Sequence, residues 1–214
     1  SFEIFDHPNY KDIDVIIIDH HFSENILPNI YSIINPNRFD ENTKLKDLAA
    51  VGVTFLFIMG LRKILRENNF FNDKNTEPNL LTNLDLVALG TVCDVVNLSD
   101  YNRNFIIKGL EIINKRTHKG ISQIIDNSNI NHSPTATDLS FIIGPQLNAA
   151  SRVEDSSLSH KLLISNNLIE IETITKKLFL LNEKRKLIEN NVYEQALEQV
   201  NKQINKKLLM FLKS

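Results

Sequence analysis

A chain of 214 residues with 42% hydrophobic content is long enough to bury one sizeable core, or a domain and part of a second. Its formal charge of -2 excludes a generally basic nucleic-acid coating but leaves room for a local basic groove. The single cysteine, Cys93, excludes an internal disulfide, and no apolar run approaches the roughly 20 residues that span a bilayer, so a cytoplasmic protein without a membrane segment is expected.

Residues 1–12 carry too little pattern for more than a short helix or loop. The next stretch, 13–18, ends in Val15, Ile16, Ile17 and Ile18, a β-branched run that predicts a buried strand of a parallel sheet. Asp19, His20 and His21 then stand at the carboxyl end of that strand, the edge at which open α/β sheets bind ligands. A carboxylate and two imidazoles delivered there suit Mn²⁺, Mg²⁺ or Zn²⁺ and phosphate chemistry. The same triplet also reads as a strand-end carboxylate capping a helix beside two surface histidines. Because the reactive residues come so early, further strands of the fold are expected upstream.

From Phe22 to Lys46, with Pro28, Pro36 and several Asn, the chain reads as loop with one short strand around Tyr31 to Ile34. A helix is predicted from Asp47, as its cap, to about Asn68, with Leu48, Val51, Phe55, Ile58, Leu61 and Leu65 along one stripe. Gly52 and Gly60 within it read as points of close approach to a neighbour. A polar loop, Asn68 to Asn79, precedes the apolar stretch Leu84 to Val96, in which Asp94 reads either as a cap or as a ligand and Cys93 as a small core residue. Asn102 to Asn114 and Ile121 to Ile125 are predicted helices broken at Gly120, and Thr135 to Ser151 is a mixed stretch. After Pro145 neither Gly nor Pro occurs, and Ile171, Ile174, Leu178, Leu181, Ile188 and Val192 predict one amphipathic helix over roughly 165–205. A helix of that length often connects two lobes or docks on a partner.

Phosphoryl transfer favours two ions about 3.5–4 Å apart that clamp the attacking and leaving oxygens. Asp19, His20, His21 and Asp94 make up about half of such a two-ion shell. Arg38, Arg103 and Arg152 each fall in a loop or at an element boundary, where a guanidinium can reach phosphate or form a surface ion pair. His7, His118, His132 and His160 have polar neighbours and are expected to face solvent, as is the run Lys184, Arg185 and Lys186 among glutamates.

Together these segments resemble one pattern, that of the RecJ family of single-strand-specific exonucleases in the DHH phosphoesterase superfamily. Asp19, His20 and His21 are similar to its signature triplet, and Gly90, Thr91, Val92, Cys93, Asp94, Val95 and Val96 to a later motif that usually has alanine where Cys93 stands. Asn35, Pro36 and Arg38 resemble a segment after the triplet, and Asn102 with Arg103 a turn entering a helix. Gly144 to Arg152 resembles the stretch written GPRLNAAGR, which argues against a small-substrate phosphatase of the same superfamily. The resemblance implies an α/β fold, the C-terminal part of a DHH-type parallel-sheet domain over 1–164, followed by a connector helix over 165–214 toward a second lobe. It implies metal ligation by His20 and Asp94, catalytic roles for Asp19 and for His21 at the substrate phosphate, and DNA-phosphate contacts from Arg38, Arg103, Asn148 and Arg152. It further implies Mn²⁺ or Mg²⁺ as cofactor and 5′-to-3′ digestion of single-stranded DNA in recombination and repair. Two aspartate-bearing motifs and the second lobe of the family are expected outside this chain, so that it acts with those parts or stands as a non-catalytic remnant with at most weak nucleic-acid binding. Gln146 in place of arginine implies the loss of a DNA-phosphate contact, and Ser151 in place of glycine the loss of a flexible backbone position.

Overall fold

The computed structural model describes residues 13–153 and 155–203, so His7 and the segment 1–12 lie outside the described residues. The chain divides into two compact units, Ser1–Lys115 with Pro134–Ser140, and Arg116–Ser133 with Phe141–Ser214.

In the first unit β1 (Ile16–Ile18) and β2 (Ser32–Ile34) pair in parallel, Ile17 opposite Ile33. Pairing continues one residue further, where the Asp19 amide donates to the Ile34 carbonyl at 3.1 Å, so the triplet begins where the ladder ends. The expected parallel sheet is therefore present as two strands, in a chain whose described residues are mostly helical. The expectation of a buried strand is corrected: Ile16 is 47% exposed, because among the described residues each strand has a single partner.

Helix α1 (Ala50–Glu67) follows the predicted stripe, but only the first half of that stripe meets a partner. Leu48, Val53 and Phe55 are buried, whereas Ile58 and Leu61 are exposed. Asp47 does not cap it. Ala49 occupies the cap position, and the Asp47 carboxylate instead accepts from the Asn97 side chain. A 3-10 turn, Leu80–Asn83, leads into α2 (Leu84–Cys93), which is buried on nearly all sides and packs between α1 and α3 (Asp100–Asn114). Their shared core is Phe55, Leu80, Leu84 and Val87 with Val51, Phe105 and Ile112 against it, and the Phe55 and Phe105 rings meet edge to face at 5.7 Å. Of the close approaches expected at Gly52 and Gly60, the first is an ordinary contact with Leu48 and Phe105, and the tight approaches are at Gly90 and Gly109. A Cβ on Gly90 would lie 2.7 Å from the Val51 side chain and one on Gly109 would lie 2.3 Å from the Leu84 carbonyl oxygen, whereas Gly60 faces open space. Helix α5 (Ala136–Asp138) opens on a capping box between Thr135 and Asp138.

A π-helical segment, Leu139–Ile143, carries the chain from one unit to the other and continues as α6 (Gly144–Val153), so the mixed stretch is helical from Ala136 onward. The second unit also contains α4 (Lys119–Asn127), α7 (Ser157–Ile164) and α8 (Leu168–Gln203). Gly120 lies in the first turn of α4 rather than at a break. The break is at 115–118, with Arg116 in the left-handed region and His118 as cap, its ring nitrogen accepting from the Ile121 amide. Gly120 matters for another reason, since a Cβ there would lie 2.4 Å from the Leu162 carbonyl oxygen of α7. Helix α8 starts at an Asn167 cap that accepts from the Ile169 and Glu170 amides. Ile171, Ile174, Leu178 and Leu181 are buried, but Ile188 and Val192, further along the same stripe, are not. Leu178→Ala is therefore expected to lower stability by about 3 kcal/mol and Ile188→Ala by no more than about 0.5 kcal/mol, read by urea unfolding of the two variants.

Candidate metal and phosphate site

Asp19, His20 and His21 leave β1 in consecutive positions, and the Asp19 carboxylate folds back over the two histidines. Its Oδ1 accepts from the His20 amide at 2.7 Å and lies 2.7 Å from His21 Nδ1. Burial pushes the Asp19 carboxyl up, but the His21 hydrogen bond and the backbone N–H donors outweigh it and hold the group below its ordinary value. The hydrogen bond to Asp19, and then its charge, raise His21 above the usual imidazole value of 6.5. The pair's stabilisation is fully present below pH 6.5 and fades as pH climbs through the raised His21 value; at the acid end it is lost as pH falls below 3.8 through the lowered Asp19 value. In metal-free protein, proton NMR is expected to show His21 titrating above 6.5 and returning toward it in Asp19→Asn.

His20 points the other way. Its Nε2 stands 3.1 Å from Asp94 Oδ2, and its side chain is 15% exposed against 38% for Asp94. Asp94 is the residue that ends α2, and the apolar stretch that precedes it is helical. The structure thus brings Asp94 against His20, and ligand atoms of the triplet Asp19, His20 and His21 all lie within 4.8 Å of one another. This disfavours reading the triplet as a helix cap with two surface histidines, since Asp19 caps the histidine amides themselves and His20 is largely covered. Beside it the half-buried Cys93 faces the Leu139 carbonyl oxygen, and burial followed by the Asp94 charge pushes its thiol up, which disfavours the thiolate a nucleophile needs.

Arg38 is engaged already, with Nε and Nη2 on the Asp40 carboxylate and Nη1 on the Ile33 carbonyl. Arg103 is exposed in the first turn of α3. Asn148 and Arg152, four residues apart on α6 in the second unit, are both exposed on one face. Gln146 is 3% exposed and donates to Ser128 Oγ at 2.7 Å, an interior position where an uncharged amide avoids burying a guanidinium. Ser151 is helical and donates to the Asn148 carbonyl, so no glycine conformation is needed there. Four asparagines support the site from behind. Asn35 and Asn37 donate to the His21 and His20 carbonyls, and Asn102 and Asn97 tie the chain after Asp94 to Asp47. Asn35 and Asn102 fall within the family-like segments, but nothing in the pattern singles out Asn37 or Asn97.

Residues 1–91 match the model of the DHH family, N-terminal domain. The chain is 41% identical over 194 residues to the single-stranded-DNA-specific exonuclease RecJ of Salmonella typhimurium and 40% identical over 195 residues to that of Escherichia coli K12. These matches take in 89% and 90% of this chain, which spans 34% of the length of each relative. Among solved structures, exonuclease RecJ bound to manganese superposes with a TM-score of 0.76 at 25% identity, over 92% of this chain and 47% of that one. RecJ of Thermus thermophilus in complex with Mn²⁺ gives 0.75 at 27%, over 88% and 27%. The fold of this chain is accordingly RecJ-like.

Proposed function

We propose that this chain is part of a metal-dependent phosphodiesterase of RecJ type, a 5′-to-3′ exonuclease on single-stranded DNA in recombination and repair. The observation that carries this reading is the meeting of His20 and Asp94 at 3.1 Å beside the Asp19 and His21 pair. Identity of about two in five residues with enzymes named for that activity supports it. Carboxylate oxygen with imidazole nitrogen is a donor set that takes Mn²⁺ or Mg²⁺. The 3.1 Å separation of His20 Nε2 and Asp94 Oδ2 would let both atoms face one ion. His20 and Asp94 are the residues that would hold the ion, which lowers the pKa of water to give a nucleophile at neutral pH.

The chain's own residues supply the rest. Asp19 orients His21 through Nδ1 and favours its protonated form, leaving Nε2 as the nitrogen to hydrogen-bond a phosphate oxygen as charge grows there. His21, 76% exposed at its side chain, is accessible to a strand. Arg103, Asn148 and Arg152 contact strand phosphates, and Arg38 does so at the cost of its Asp40 pair. In this reading 1–164 is the C-terminal part of the catalytic domain, 165–214 the connector to a second lobe, and the compartment is the cytoplasm. A two-ion clamp needs more carboxylates than the described residues gather here, so other parts of the same enzyme complete the site. That shortfall also favours a second reading, a non-catalytic remnant with weak nucleic-acid binding.

A 5′-labelled single strand incubated with Mn²⁺ tests this. The 214-residue chain alone is expected to leave the strand intact, and the chain extended by the preceding part of a full-length relative to shorten it from the 5′ end. His20→Ala in the extended protein is expected to abolish the shortening. An extended protein that binds the strand without cutting it supports the remnant.

A further inference from the structure

We propose that Asn37 and Asn102 are positioning residues that together set the separation between His20 and Asp94, through a shared anchor at the consecutive residues Lys46 and Asp47. This rests on the reading of His20 and Asp94 as metal ligands.

Each asparagine spends its amide on two carbonyls from two different segments. Asn37 Nδ2 donates to His20 O at 2.7 Å and to Lys46 O at 2.9 Å. Asn102 Nδ2 donates to Asp47 O at 2.6 Å and to Asn97 O at 2.7 Å. Since Lys46 and Asp47 are joined by a peptide bond, the two amides form one bracket. It runs from the His20 backbone through the 46–47 anchor to the chain that follows Asp94. Two further bonds brace it. The Asn97 side chain donates to Asp47 Oδ1 at 3.0 Å, and Asn35, whose Nδ2 donates to His21 O, accepts at Oδ1 from the Asn37 backbone N–H at 2.8 Å.

Three facts point to positioning rather than to filling of the core. Only an amide side chain offers two N–H donors on one atom without charge; serine offers one donor, and aspartate, when ionised, none. Asn102 is 0% exposed and its Oδ1 has no partner, a cost an apolar residue of the same size would avoid, so the residue is retained for what it donates. Finally Val95, directly after Asp94, sits at φ 56, which a β-branched residue adopts only when its surroundings impose it. The bonds on Asn97 and Asp47 are the constraint that holds that turn, and with it the Asp94 carboxylate facing His20.

The test uses the 214-residue chain as Asn37→Leu, Asn102→Leu and Asn97→Ala, each with and without Asp94→Asn. Calorimetric Mn²⁺ titration reads affinity, proton NMR of the His20 ring in metal-free protein reads its contact with Asp94, and circular dichroism reads folding. Mn²⁺ binding is expected to weaken about tenfold or more in the two leucine variants and less in Asn97→Ala, with no further weakening in the Asp94→Asn background. The metal-free His20 resonance is expected to move toward its Asp94→Asn position. Folded variants with unchanged affinity and an unmoved His20 resonance would overturn the proposal, as would a loss repeated in full without Asp94. Should the leucine variants fail to fold, Asn97→Ala, at an exposed position, decides by the same readings. If the 214-residue chain binds no Mn²⁺, the titration is made on the extended protein, where absence of binding sinks the metal reading, and the His20 resonance of the 214-residue chain decides the bracket.

Discussion

Gly109→Ala is expected to lose about 2–4 kcal/mol of stability, although alanine is the better helix former by about 1 kcal/mol. The added carbon would lie 2.3 Å from both the Leu84 carbonyl oxygen and the Ala88 side chain, so α3 must move off α2. Neither obstacle is the mobile end of a side chain; one is helix backbone and the other a methyl fixed to it. Separating the two helices also loosens Leu84 from Phe105 and Ile112. The same substitution at Gly60, where nothing lies within 4 Å, is expected to raise stability by about 0.5–1 kcal/mol. Thermal unfolding followed by circular dichroism measures both. A Gly109→Ala midpoint at or above that of the parent would mean that α2 and α3 do not approach as described.

Asp94→Asn is expected to weaken Mn²⁺ binding by about a hundredfold or more, beyond the tenfold to hundredfold typical of a residue that only supports a ligand. An amide keeps the shape and removes the charge that attracts the ion. Arg38→Ala is the matching control. Its guanidinium is bound to Asp40 and to the Ile33 carbonyl, so Mn²⁺ affinity is expected to stay within about twofold, the scale of an exposed ion pair. Isothermal titration on the two variants gives the comparison, and equal affinities for Asp94→Asn and the parent would remove Asp94 from the ligand set.

Much of the site's chemistry is legible in the sequence because it is local. Asp19, His20 and His21 are adjacent, and a β-branched run ahead of them is enough to put them at a strand end. The periods of α1 and α8 are equally local, and both helices form close to their expected bounds. Burial is a different matter. Periodicity says which residues share a face, yet Phe55 and Ile58 on one helix, and Leu178 and Ile188 on another, differ in whether anything covers that face. The glycines divide in the same way: Gly60 and Gly109 are alike as letters in a helical pattern, but only one of them has a neighbouring backbone against it.

By itself, then, the sequence determined the donor types, the strand-end placement of the triplet, the helical periods and the likeness to a family of exonucleases. Tertiary structure decided that Asp94 meets His20 while Asp19 turns to His21, that Arg38 is spent on Asp40, and that asparagines at 37 and 102 clamp the backbone between them. The reason is physical. Residue identity and short-range geometry are written within a few positions of the chain, whereas a hydrogen bond between distant segments exists only once their packing has brought a donor and an acceptor within about 3 Å.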